Sequence, residues 1–207
     1  KRPIYFSTTL SNSSYLNLRD YMQMEGLAYR LLPVKNQAYT QGQGRVETSI
    51  MYDRMINNFY YRGLDDSTRY FDENYRRFPL NLRNSFYRLA VEFYNEGNLE
   101  KSKEVIDFCF KKMPDKAIFY DAYCTQFVQL YFKLNEKEKA IKMAELMAKR
   151  ANEELIYYKE KDRGNYEVRT NMYILNTLSS IAKSEGENDL AKRIEEMFNL
   201  HVSWMGN

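Results

Sequence analysis

The sequence predicts a mainly α fold, in which irregular helix-pair repeats follow a small N-terminal α+β cap. Its 207 residues include 8 Gly and 4 Pro, which is few for a loop-rich β protein. Large and small side chains recur in pairs of helical segments from residue 79 onward, whereas the first 45 residues lack that pattern. We therefore divide the chain into a cap or linker region at 1–45 and a helical repeat domain at 46–207.

Composition and charge exclude several classes of function. Lys and Arg number 31 and Asp and Glu 28, so the net charge of +3 does not favour binding to nucleic acid or to a membrane surface. No apolar run approaches the roughly 18 residues of a spanning helix. The chain starts without Met or a signal-peptide core, and we expect it to be a piece of a longer protein. With 19 Tyr and 12 Phe, its core should be rich in aromatic side chains.

The cap region combines strand and helix signals. Residues 4–9 are β-branched and aromatic, which predicts a short strand. Ser13 and Ser14 could cap a short helix that reaches Met22. Residues 27–32 fit either a second strand or a helical turn, and the polar, Gly-rich stretch at 35–45 predicts an exposed loop.

The next segment changes to a helical period. One apolar stripe predicts a helix here and consists of Ile50, Met51, Met55, Ile56 and Phe59. Gly63 and the polar residues 65–67 break this pattern. Residues 68–78 are ambiguous, although the run at 72–77 is too charged for the core of a sheet.

Residues 79–202 carry an internal repeat of the tetratricopeptide (TPR) type, which needs large and small residues at fixed positions of a 34-residue helix pair. In the first repeat, with Pro114 at position 32, these positions are occupied by Phe86, Leu89, Ala90, Phe93, Ser102, Ile106 and Cys109. Gly97 supplies the turn between the two helices. Two further units align on Ala140 and Ala191, at spacings of 38 and 51 residues. The array is therefore irregular, with the extra length around 153–166.

Stacked helix pairs present a concave surface made by the first helix of each pair. In this register it is polar and aromatic, with no Lys/Arg cluster to clamp a peptide carboxylate. We expect it to bind a protein or peptide. The candidate binding residues are Asn84, Tyr87, Tyr94, Asn95, Thr125, Gln129, Phe132, Lys133, Asn176 and Lys183.

The sequence predicts no catalytic residue, metal site or cofactor. Cys109 and Cys124 occupy interior slots as small hydrophobes, although an oxidising compartment leaves a disulfide open. A single histidine excludes a Cys/His zinc cluster, and we place His201 at the surface or a helix end. The acidic pairs at 65–66 and 72–73 stand beside arginines that would neutralise them. Tandem tyrosines at 60–61 and 157–158 keep open a glycan-binding alternative.

Three segments, 2–6, 25–33 and 72–77, resemble the C-terminal soluble part of large bacterial membrane proteins. The multispanning part of that family is similar to protein O-mannosyltransferases. The likeness covers most of the chain and continues at Asn81, Arg83, Phe86, Leu89, Ala90, Met113, Pro114, Lys139, Ala140 and residues 155–158.

The resemblance implies a parent that transfers sugar from a lipid-linked donor, with its acidic catalytic residues in the membrane part. None of them can be placed on this chain. It also implies a location at the periplasmic face of the inner membrane. We therefore expect a non-catalytic module that positions a protein acceptor or partner beside the membrane part of its own parent chain. The alternatives are a free-standing TPR-like adaptor for peptides and a glycan-binding module with a Tyr-rich surface.

Overall fold

The computed structural model describes residues 2–36, 44–161 and 165–205. It is 66% helical, with seven α-helices and a small N-terminal sheet among the described residues, which confirms the mainly helical fold class. The chain forms two compact units, residues 1–119 and 120–207. The predicted domain boundary after residue 45 falls within the first unit. No helix in the described ranges is long and apolar enough to cross a membrane.

The sheet of the first unit has four short strands in the order β1-β3-β2-β4. They are β1 (Tyr5–Ser7), β2 (Met22–Met24), β3 (Ala28–Leu31) and β4 (Arg45–Val46). Strand β3 lies antiparallel to both β1 and β2, and β4 is parallel to β2. Gly26, with φ of +122°, makes the tight turn between β2 and β3. Of the two predictions for residues 27–32, the strand is therefore confirmed.

The short helix predicted after Ser13 and Ser14 is wrong. Leu16 and Asn17 adopt left-handed backbone angles, with φ of 52° and 59°, which a right-handed helix does not allow. Two 3₁₀ turns flank this break, and Met22 starts a strand. Tyr15 is buried and packs edge-on against Tyr29 of β3, with ring centroids 5.9 Å apart. Packing against the sheet has thus overridden the local helical pattern.

The exposed loop predicted at 35–45 lies mostly outside the described residues, which omit 37–43. At its start, Asn36 is attached to the sheet, since its side-chain amide donates to the carbonyl of Met22 at 2.7 Å. Arg45 at its end belongs to β4. The described ends of this segment are therefore ordered by backbone and amide hydrogen bonds.

The first unit continues with three helices. Helix α1 (Thr48–Tyr52) runs into a π-helical turn at Asp53–Asn58, and it buries Met51 and Met55 completely. After an irregular stretch come α2 (Glu73–Asn95) and α3 (Leu99–Lys112). The carboxylate of Asp72 accepts a hydrogen bond from the amide of Tyr75 at 2.9 Å, so an N-cap starts α2 within the stretch that was ambiguous in the sequence.

The second unit contains four helices, α4 (Thr125–Lys133), α5 (Lys137–Lys161), α6 (Asn165–Ser184) and α7 (Asn188–Met205). Together with α2 and α3 they form three helix hairpins, whose short connections make the paired helices antiparallel. Each hairpin turns at one left-handed residue, Gly97, Asn135 or Gly186, with φ of 77°, 60° and 79°. The next amide donates to the carbonyl five residues back, at 2.8, 2.9 and 2.9 Å. This is the Schellman arrangement, in which Asn replaces Gly once.

Small buried residues follow each turn at the predicted position. Ser102, Ala140 and Ala191 are at most 1% exposed, and their size lets the two helices of a hairpin approach closely. In the first hairpin, the hydroxyl of Ser102 donates to the carbonyl of Ala90 on the facing helix at 2.7 Å. In the third, the hydroxyl of Ser179 donates to the carbonyl of Ala191 at 3.3 Å. In both hairpins a serine hydroxyl thus bridges the contact between the two helices. The serine lies on the second helix in the first hairpin and on the first helix in the third.

Candidate functional site

A groove runs along α4 and α6 in the second unit, and we call it the α4–α6 groove. It consists of two cavities that share Gln126 and Tyr173. The first, the tyrosine end, has a volume of about 450 Å³, and its lining includes Tyr123, Gln126, Tyr166, Arg169, Thr170 and Tyr173. The second, the amide end, has a volume of about 380 Å³, and its polar lining includes Gln126, Gln129, Asn176, Thr177, Ser180 and Ser184.

Helical spacing explains why these side chains share a face. Along α6, Tyr166, Thr170, Tyr173, Thr177 and Ser180 follow one another at three or four residues, which places them in one row on the helix surface. Other faces of the helix are buried, as the core residues between them show, namely Val168, Met172, Leu175 and Leu178. The amphipathic pattern of α6 thus fixes which side chains line the groove.

The tyrosine end exposes an unusual amount of aromatic surface. Tyr123, Tyr166 and Tyr173 are 62%, 78% and 55% exposed. Exposed aromatic groups that cluster around one cavity are typical of a binding surface. Among the described residues that line either cavity, Arg169 is the only charged one, so the groove is close to neutral.

Hydroxyl groups along the groove are already bonded to their own helix. Thr170 donates to the carbonyl of Tyr166 at 3.0 Å, Ser180 to that of Asn176 at 2.9 Å and Ser184 to that of Ile181 at 2.8 Å. Because the hydroxyl protons are used in this way, these oxygens can act towards a ligand mainly as acceptors. The amide side chains of Gln126, Gln129 and Asn176 add both donors and acceptors.

The ten candidate binding residues are divided between the two units, and each unit is considered by itself. Gln129 and Asn176 line the amide end of the groove, with Thr125 at its base. Lys133 and Lys183 are exposed, and Lys183 forms an ion pair with Glu195 at 2.8 Å. Asn84, Tyr87, Tyr94 and Asn95 lie on α2 of the first unit.

Two of these candidates need correction. Thr125 is 1% exposed and Phe132 is 8% exposed, so both side chains are part of the core and not of an open surface. Thr125 also donates its hydroxyl to the carbonyl of Ala122 at 2.8 Å. The cause is that α4 is short and nearly apolar, and it buries most of its circumference.

Three lining residues of the tyrosine end, Tyr166, Arg169 and Thr170, were absent from the candidates because α6 begins earlier than a TPR unit would. The template aligned on Ala191 starts at residue 172, whereas α6 starts at Asn165. Tyr166 and Arg169 lie in this additional stretch. The signal that could have found them is the continuation of the row through Tyr173 and Thr170 towards the start of the helix.

The two cysteines and the histidine are buried. Cys109 and Cys124 are buried and are not joined in a disulfide, and burial raises the pKa of Cys109 to about 12, which opposes formation of the reactive thiolate. Of the two placements predicted for His201, the surface is wrong, because the residue is 3% exposed and its Nε2 lies 2.8 Å from the Oδ1 of Asn152, whereas it does lie near the end of α7. Burial lowers the pKa of this histidine.

Acidic side chains in the described residues serve local structure. The carboxylate of Asp66 lies 3.2 Å from the Nε of Arg69 and accepts bonds from Thr68. These hydrogen bonds lower the pKa of Asp66. In the described ranges, no group of three or more His, Cys, Asp or Glu residues could hold a metal ion.

Comparison with known proteins gives one match. Residues 1–50 match the family model "TMEM260-associated domain 2", a segment that includes the four-stranded sheet and lies outside the groove. The match is consistent with a TMEM260-like protein. No curated protein matches the chain, and no solved structure does.

Proposed function

We propose that the chain is a non-catalytic module of a membrane glycosyltransferase-like parent, and that its α4–α6 groove binds the polypeptide on which the parent acts. The match of residues 1–50 to a TMEM260-associated domain supports such a parent. The neutral row of polar side chains along α6 supports the groove as the binding surface, and this is the observation that carries the proposal.

Chemistry at the amide end suits a peptide main chain. Gln126, Gln129 and Asn176 each present a carbonyl and an NH₂ group, which match the donor and acceptor of a peptide bond. Hydrogen bonds of this kind do not involve the side chains of the peptide, so one groove can bind peptides of many sequences. Because the groove carries little charge, it would not select peptides by their charge. This suits a module that binds varied acceptors.

The setting of the module is part of the same proposal. The three hairpins with equivalent Schellman turns and small contact residues support a TPR-like array. The family resemblance supports a position at the periplasmic face of the inner membrane in a bacterial cell. The module would act beside the membrane part of its parent, where the sugar transfer takes place.

A titration tests the groove directly. The ¹⁵N-labelled chain is titrated with an unstructured, uncharged peptide rich in Ser and Thr, and amide shifts are followed by NMR. We expect saturable shifts along α4 and α6. The double variant Gln129→Ala/Asn176→Ala should bind roughly 30-fold more weakly, since it removes two hydrogen-bonding amides and each net hydrogen bond contributes about 1 kcal/mol.

The matched control is Asn199→Ala, which removes an exposed amide from α7 of the same unit. It should leave the affinity unchanged. Equal binding by the double variant and the control would reject the amide end as the peptide site. A free-standing adaptor would also bind peptide, and the coding sequence upstream of Lys1 distinguishes it, because membrane spans there would identify the glycosyltransferase-like parent.

A further inference from the structure

We propose that the tyrosine end of the α4–α6 groove binds a neutral pyranose sugar. The inference rests on the proposed function in one respect, because the sugar would be carried by the polypeptide that lies along the amide end. The two cavities share Gln126 and Tyr173, so a single glycosylated segment can occupy both. The groove would then retain an acceptor that has already received its sugar.

Aromatic rings enclose the tyrosine end from two elements. Tyr166 and Tyr173 are seven residues apart on α6, a rise of about 10 Å along one helix face, and Tyr123 comes from the 3₁₀ turn that precedes α4. All three are more than half exposed. A pyranose ring offers apolar C–H faces that pack on such rings, and the volume of about 450 Å³ is within the usual range for small-molecule sites.

Polar side chains also line the tyrosine end. Arg169 and Thr170 lie between the two tyrosines of α6, and Gln126 lies on α4. The guanidinium group provides several N–H donors and the glutamine provides a donor and an acceptor. The hydroxyl of Thr170 donates to the carbonyl of Tyr166 at 3.0 Å, which leaves its oxygen as an acceptor. These groups can bond adjacent hydroxyls while a ring face rests on tyrosine.

Charge favours a neutral ligand over an acidic one. Arg169 is the only charged side chain among the described residues that line this cavity, and sites for carboxylate or phosphate normally combine several positive groups. A proline-rich peptide could also pack on tyrosine rings. It has fewer groups to pair with Gln126, Arg169 and Thr170, so the polar lining favours the sugar.

An NMR titration of the ¹⁵N-labelled chain with uncharged methyl hexopyranosides tests the inference. We expect saturable shifts around residues 123–126 and 166–173. Tyr166→Ala and Tyr173→Ala should each weaken binding roughly 3- to 10-fold, in keeping with the contribution of an aromatic contact. Tyr166→Phe should retain binding, since it keeps the ring. The matched control is Tyr70→Ala, because Tyr70 is 83% exposed but lies in the first unit.

Three outcomes would overturn the inference. They are the absence of saturable shifts with every hexoside, tighter binding of a methyl glucuronide that weakens with salt, and tighter binding of a proline-rich peptide at the tyrosines. The proposed function fails separately. Binding of an unglycosylated peptide without any hexoside would reject only the sugar site, and binding of hexoside without peptide would reject only the peptide groove.

Discussion

The two units of the chain are stabilised in different ways. In the first, Arg83 is 1% exposed, and its guanidinium donates to the carbonyls of Met113, Ile118 and Phe119. Arg88 similarly donates to the hydroxyl of Tyr29 at 2.6 Å. In the second unit, α5 instead packs through a row of small side chains at Ala140, Ala144, Ala148 and Ala151, all at most 1% exposed.

The difference follows from backbone hydrogen bonding. The carbonyls that Arg83 binds lie at the end of α3 and in the turn after it, where the helix offers them no partner, so a buried side chain supplies the donors. Long helices satisfy their own backbone groups, and apolar packing is then sufficient. In the second unit, polar side chains of α4 and α6 line the groove instead.

Among the substitutions that test this difference between the units, Arg83→Met should reduce stability the most. It leaves three carbonyls, two of them buried, without their donor, and we expect the free energy of unfolding to fall by about 3 kcal/mol. Hydrogen exchange should accelerate in residues 1–119 and remain unchanged beyond them. The control Arg169→Met, at an exposed arginine, should be silent. A uniform loss of protection in both units would show that the units are not stabilised independently.

Glu25→Gln should have the next largest effect. The buried carboxylate of Glu25 lies 3.0 Å from Arg54 and 3.4 Å from Arg30. Since both arginines are partly exposed, loss of the charge should cost about 1–2 kcal/mol in denaturant unfolding. Glu100→Gln provides the contrast in the same unit, because the side chain of Glu100 is 88% exposed. Equal stability of the two variants would mean that the buried ion pairs of Glu25 do not stabilise the first unit.

We expect the left-handed residues of the hairpin turns to contribute similarly to the stability of both units. Gly97→Ala meets no neighbouring atom within 4 Å, so its cost of about 1 kcal/mol comes from the left-handed backbone alone. Asn135→Ala should cost a similar amount in the second unit, and Asn135→Gly should be neutral or slightly stabilising. Thermal unfolding of the three variants measures this. A silent Gly97→Ala would mean that the first hairpin turns without its left-handed residue.

The pH dependence of His201 should be the smallest effect and confined to the second unit. Burial lowers its pKa in the folded state, so the unfolded chain binds more protons, and stability rises with pH near and below about 6.5. Because this is the only histidine of the chain, His201→Gln should remove that part of the slope. Unfolding midpoints of both proteins at about pH 5.5 and 7.5 test this. Parallel slopes would contradict it.

Local volume constraints made the hairpins predictable from the sequence. Ser102, Ala140 and Ala191 mark the helix contacts because only small side chains fit there, and that requirement is visible in a single sequence. The break at Leu16 and the burial of His201 were not visible. Both depend on partners distant in the chain, the sheet for the first and Asn152 for the second. Among the exposed tyrosines of α6, Tyr166 was missed because it precedes residue 172, where the repeat template starts.

The Schellman turns also affect how such a chain can change length over evolutionary time. Each turn sets the rotational position at which the second helix of its hairpin begins, and the contact residue follows the left-handed residue by five positions in all three hairpins. The spacing between the second and third contact positions is 13 residues longer than that between the first and second, and the additional length lies beyond that point, in the distal part of α5 and the first turns of α6. Insertions and deletions there would leave the paired faces in phase, so related genes can diverge most in this stretch while keeping every hairpin intact.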